Sequence, residues 1–145
     1  MEPALHPDVT ALAFLLGPWE GVGEGVWPPG EPFRYVEEMT FEHVGEAFLL
    51  YAQRSWAADD GAPLHFERGF FRPGGEGRVE VTLAHPLGIV EVAEGTLAGS
   101  VLEVSSTALA LTTTGSPVTG LRRRLEVAGR VMRYELWMSM GEEPP

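Results

Sequence analysis

From Gly17 onward the chain is cut into short segments of alternating apolar and polar residues, each closed by a Gly, Pro or Asp turn. This punctuation limits the fold more than any other feature. Phe33, Tyr35, Met39 and Phe41 alternate with Arg34, Glu38 and Glu42, and "AFLLYAQRSW" follows after Gly45. "DDGAP", "RPGGEG", "PLG", "AGS", "TGSP" and Ala128-Gly129 then separate the segments "LHFERGFF", "RVEVTLAHP", "IVEVAEGTL", "VLEVSSTAL", "VTGLRRRLEV" and "RVMRYELWMSM". The pattern predicts about ten strands at spacings of roughly 8–12 residues, joined by tight turns. Such a series folds as an antiparallel meander, either a sandwich or a closed up-and-down barrel. A barrel of about ten strands encloses more space than its own side chains easily fill, so it tends to hold an apolar ligand.

Only "HPDVTALAFLLG" reads as helix. Asp8 is its expected N-cap, Leu12, Phe14, Leu15 and Leu16 give it an apolar side, and Gly17 stops it. Nothing in the composition marks a linker, so residues 1–145 are expected to form a single domain. The expected fold class is therefore all-β: an antiparallel up-and-down barrel of about ten strands with a short N-terminal helix.

Within the first strand, "GPWEGVGEGVW" sets Gly17, Gly21, Gly23 and Gly25 in one phase with Trp19 and Trp27. Glycine weakens a strand unless the backbone must bend sharply or be closely approached. Barrel curvature and close approach of a ligand both remain open here, with curvature the simpler reading.

Composition excludes several chemistries. The chain has no cysteine, which removes disulfides, thiolate metal sites and a thiol nucleophile, and fits a reducing compartment. A net charge of −11 opposes nucleic-acid binding and anionic membranes. No apolar run is long enough for a membrane helix, and "MEPALHPD" lacks the positive start of a signal peptide. A cytoplasmic location is expected. The one basic cluster, Arg122 to Arg124, reads as surface, as do Glu37, Glu38, Arg68 and Glu80. No triad or paired-carboxylate motif points to a catalytic side chain.

Several stretches in order carry a resemblance. "LLGPWEGVGEG", "EPFRYVEEMTFEHVGEAFLLYAQR", "LHFERGFFRP", "VEVTLAHPLGIVEVAEGT" and "YELWMSM" together resemble the nitrobindins, small haem-binding β-barrels akin to the fatty-acid-binding proteins and lipocalins. The resemblance implies a ferric haem b cofactor held by one histidine, with an open axial position for a small ligand. It further implies handling of nitric oxide and isomerisation of peroxynitrite to nitrate. A ferric iron with an open position acts there as a Lewis acid, and the protein supplies the axial ligand and a dry pocket.

The same resemblance points to pocket positions. Gly17, Trp19, Gly21 and Gly23 match the family's signature beside the haem, and Leu64, His65, His85 and Met138 match pocket-lining positions. Pro29, in "WPPG", replaces a threonine that approaches the cofactor in the family. The family's iron-ligating histidine lies in a Pro-x-His-Leu-like segment after the last strand, which here falls past Pro145. The chain as written is therefore expected to hold haem weakly or not at all, and the natural protein is expected to continue. Of the other histidines, His6 reads as surface and His43 as a turn residue. A zinc site from His65, His85 and a carboxylate is a weaker reading, because no His-x-His or His-x3-His spacing supports it, and no metal ligand is assigned.

Two other functions compete. A carrier of an apolar acid would need Arg54, Arg68 or Arg133 inside the barrel. A family member without haem would serve only as an interaction domain. Symmetric dimers are common among small barrels, but nothing in the sequence specifies an interface.

Overall fold

A computed structural model describes residues 3–26 and 31–140. Nine strands follow one short helix: β1 (Gly17–Gly25), β2 (Phe33–His43), β3 (Leu49–Ala57), β4 (Pro63–Pro73), β5 (Arg78–His85), β6 (Ile89–Ala98), β7 (Val101–Leu111), β8 (Val118–Ala128) and β9 (Val131–Met140). They form one sheet in sequential order, every neighbouring pair antiparallel. The expected up-and-down barrel is present, with nine strands among the described residues. It is nearly closed: β1 and β9 are its two edges, and they face each other across a cleft of about 400 Å3. No helix among the described residues is long and apolar enough to cross a membrane.

The helix differs from expectation in type and cap. It is a 3-10 helix over Pro7–Leu15, and its N-cap is His6, whose Nδ1 accepts a hydrogen bond from the Asp8 N–H. Val9, Leu12 and Leu15 are its fully buried residues. That spacing of three is the 3-10 period, so the buried stripe itself favours the tighter helix. The stripe seals one end of the barrel, packing with Met39, Phe41, Leu49, Phe71, Val79 and Val81. Phe41, Tyr51 and Phe71 stack in this plug with ring centroids 4.8–5.1 Å apart.

Trp19 belongs to the sealed end. Its indole Nε1 donates to the Leu15 carbonyl at 2.7 Å, tying β1 to the helix. Gly17 sits at the junction with φ of +142°, a conformation that disfavours a side chain.

The in-phase glycines of β1 serve cross-strand packing. A Cβ on Gly23 would lie 2.5 Å from the Tyr35 ring, and one on Gly25 would lie 2.4 Å from the Phe33 ring. Tyr35 and Phe33 are their register partners, so each aromatic ring lies over a bare backbone. Gly21 differs, because a Cβ there would meet nothing within 4 Å. The closest backbone approaches lie elsewhere. Cβ atoms on Gly69 and Gly95 would come within 1.8 Å of the Thr82 and Glu103 carbonyl oxygens on adjacent strands. These two positions carry the tightest strand contacts of the barrel wall.

Candidate functional site

The inward side chains stack in three layers along the barrel axis. The sealed end is the aromatic and aliphatic plug already described. At the opposite end, the mouth, Ile89, Val118 and Leu121 form a smaller buried cluster, with Leu109, Leu136, Met138 and Met140 partly buried against them. β7 and β8 pair only as far as Ser105 and Arg122, so they separate toward this mouth. Between plug and mouth lies a layer of buried charge.

Arg123 is the centre of that layer, with its side chain wholly buried. Its guanidinium donates from Nη2 to Glu67 Oε1 at 2.9 Å and from Nη1 to Glu91 Oε2. The Tyr51 hydroxyl donates to the other Glu67 oxygen at 2.8 Å. His65 and His85 flank the carboxylates on the mouth side. His65 Nε2 lies 2.9 Å from Glu67 Oε1, and His85 Nε2 lies 2.9 Å from Glu91 Oε1. His85 Nδ1 faces Glu67 Oε1 at 3.8 Å, and the two imidazole centroids are 5.4 Å apart. Farther round the wall, Gln53 Nε2 donates to Glu37 Oε2 at 2.9 Å.

The electrostatics follow from this packing. Burial pushes the Glu67 carboxyl up, but Arg123 and His65 outweigh it and hold the group far below the usual carboxylate range. Glu91 is also lowered: its burial is overcome by the bonds from His85 and Arg123. Glu37 goes the other way. Burial raises it, the Gln53 bond only partly offsets that, and Glu67 adds repulsion. Burial, with the charge of Glu67, also pushes the Tyr51 and Tyr134 hydroxyls well up, so both stay neutral.

Two surface assignments are corrected by this layer. The Arg122–Arg124 run is split by strand alternation. Arg122 lies outside, 4.1 Å from the Trp137 ring centroid, and Arg124 pairs outside with Glu103 and Glu126. Arg123 alone points inward. Glu37 likewise faces the interior, whereas Glu38 pairs with Arg54 on the outer face. Glu67, Glu91 and Arg123 escape a reading by residue type, because a charged strand residue usually faces solvent. Counting by two from Phe71, Ala93 and Leu125 places all three on the inner face.

The residues expected at the site are dispersed. His65 and His85 meet at the base of the mouth, and Met138 is on its apolar ring. Leu64 sits unpaired at a bulge between the Ser55–His65 and Trp56–Pro63 pairs and is exposed. Gly21 and Gly23 line the β1–β9 cleft together with Trp19, Tyr35, Glu37, Met132 and Tyr134. Gly17 is at the sealed end, away from the mouth. His43 accepts a bond from the Gly45 N–H at 3.3 Å, as a turn residue would. Pro29 lies outside the described residues.

Known proteins show the same barrel. The model of the THAP4-like, heme-binding beta-barrel domain family matches residues 8–144. The chain belongs to this family. The match is that of the nitrobindins, in agreement with the resemblance of the sequence. The chain is 47% identical over 142 residues to peroxynitrite isomerase 2 of Mycobacterium marinum, covering 95% of this chain and 88% of that protein. It is 45% identical over 145 residues to the peroxynitrite isomerase of Nocardia farcinica, covering 97% and 86%. The crystal structure of Rv2717c from M. tuberculosis superposes with a TM-score of 0.87 at 40% identity, covering 97% of this chain and 92% of that one. Within this haem-binding family, the present nitrobindin-like barrel has a sealed helix end, a buried charge layer and an apolar open mouth.

Proposed function

We propose that this chain binds haem at the open end of its barrel and acts there on a small oxidised-nitrogen ligand, peroxynitrite or nitric oxide, in a cytoplasmic setting. The apolar mouth carries the reading. Leu109, Leu136, Met138 and Met140 form an apolar rim that is only partly buried, seated on the buried Ile89, Val118 and Leu121, opposite an end that is fully packed. A flat apolar group would cover it. The names of the mycobacterial and nocardial relatives supply the substrate class.

The described residues fit the porphyrin as a wall. The Nε2 atoms of His65 and His85 are each engaged by a carboxylate, so the two histidines would contribute to the wall. His65, Met138 and the aliphatic ring would hold and orient the group and exclude water from its face. Gly21, with open space where a Cβ would be, would leave room along the cleft. When bound, ferric haem would supply Lewis acidity toward a peroxide-like oxygen. No side-chain base is needed for that isomerisation.

The acid-carrier alternative is disfavoured by the interior charges. Arg54, Arg68 and Arg133 are all exposed. Arg123 is inside, but Glu67 and Glu91 already occupy it, so a ligand carboxylate would meet excess negative charge.

Titration of the natural full-length protein with hemin, followed by absorbance, tests the reading. A saturable Soret shift at one haem per chain is expected, weakened by Met138→Glu, together with faster peroxynitrite decay and a higher nitrate yield. No Soret shift overturns it.

A further inference from the structure

The charge layer contains two donors, Glu67 and His85, that the haem reading does not use, beside His65, which both readings share. His65, Glu67 and His85 each offer a donor atom within 4.8 Å of the other two. Donor atoms around one tetrahedral zinc ion stand about 3.4 Å apart, given bonds of about 2.0–2.2 Å. The observed separations of 2.9 and 3.8 Å from Glu67 Oε1 bracket that value.

His85 is held as a ligand would be. Its Nε2 is 2.9 Å from Glu91 Oε1, and a carboxylate accepts only from a protonated nitrogen. The opposite nitrogen, Nδ1, is buried, has no hydrogen-bond partner and faces the other donors. A histidine that gives one N–H to a carboxylate and presents its other nitrogen inward is the usual carboxylate–histidine–metal arrangement. Glu91 is in turn fixed by Arg123.

Charge points the same way. Two carboxylates, Glu67 and Glu91, face one guanidinium, which leaves one negative charge in excess beside two imidazoles. Buried charge without a counterion is costly. A cation between the donors would offset that excess charge.

We infer that His65, Glu67 and His85 form a site for a divalent transition-metal ion of the zinc class, with Glu91 as the positioning residue behind His85; the ion would take the place of the proton that His65 Nε2 shares with Glu67 Oε1, which is released on binding. Three protein donors leave a fourth position free. His65, whose side chain is 18% exposed, gives it access from the mouth. The proposal does not rest on the haem reading.

The test uses the full chain, stripped of haem and of metal, with Zn2+ followed by calorimetry and Co2+ by visible absorption. One ion per chain is expected, with Co2+ giving the intense ligand-field bands of a low-coordinate site. His65→Gln and His85→Gln should each weaken Zn2+ binding at least 100-fold. Glu91→Gln should weaken it about 10–100-fold at unchanged stoichiometry. If the deeper variants do not fold, His65→Gln, at the rim, carries the comparison. Absence of saturable Zn2+ binding overturns the proposal, and so does an affinity unchanged in His65→Gln, as scattered surface carboxylates would give. Binding of Zn2+ without hemin would sink the haem reading alone, and hemin without Zn2+ would sink the metal site alone.

Discussion

The two halves of the barrel interior are built from the same strands yet solve burial differently. At the helix end, Leu12, Phe41, Leu49 and Phe71 are sealed by shape, and few polar groups need satisfying: the Trp19 indole, which bonds Leu15, and the Tyr51 hydroxyl, which reaches Glu67. Toward the mouth, the same strands bury Glu67, Glu91 and Arg123, and they leave His85 Nδ1, Arg123 Nε and the Tyr134 hydroxyl without partners. A sealed core needs only complementary volume. A layer of charge needs every partner in place, so it is both the more fragile half and the half with chemistry to spare.

Removing one cation should separate the halves most sharply. Arg123→Met leaves two buried carboxylates uncompensated and should cost about 3–5 kcal/mol by urea unfolding. Arg124→Met, one residue away but outside, should cost less than about 1 kcal/mol. Equal effects would mean that the charge layer does not govern stability. Phe71→Ala at the sealed end should also cost about 3–5 kcal/mol through a cavity, yet leave hemin affinity within about twofold.

Acid sharpens the contrast. The folded-state carboxyls of Glu67 and Glu91 are lowered, so their contribution is fully present above the unfolded value of about 4.3 and drains away as pH falls through the folded values. Glu37 is raised, so its contribution has the opposite sign and favours folding on acidification. The thermal midpoint should therefore drop steeply below about pH 4 in the parent chain, more steeply still in Glu37→Gln, and less in Glu67→Gln. Coincident slopes would refute this assignment of charges.

Glycine substitutions give the finest comparison. Gly69→Ala forces a Cβ onto the Thr82 carbonyl and should prevent normal pairing of β4 with β5. Gly21→Ala meets nothing and should stabilise by up to about 1 kcal/mol, since alanine loses less backbone entropy. Paired thermal melts check both.

Much of the barrel was legible because β-strand alternation and turn residues are local. Nine of the elements could be marked from period two and from Gly, Pro and Asp punctuation. The family signature was equally local. The helix type was less so: the spacing of Val9, Leu12 and Leu15 suits a 3-10 helix, but the Asp8 cap competed with a His6 ring that caps it instead. At the site, alternation puts Glu37, Glu67, Glu91 and Arg123 on the inner face, but a charged residue in a strand is more often solvated, so residue type and parity point opposite ways there.

By itself, then, the sequence determined the strands, their order and the two faces of each, because side-chain direction in a strand depends only on parity. Tertiary structure decided which inward charges meet. Glu67, Glu91 and Arg123 come from β4, β6 and β8, and only the curvature of the closed wall brings them across the interior into contact. It also turned the β1 glycines from an open question into seats for Tyr35 and Phe33, because a missing Cβ has meaning only once the ring that fills its place is known.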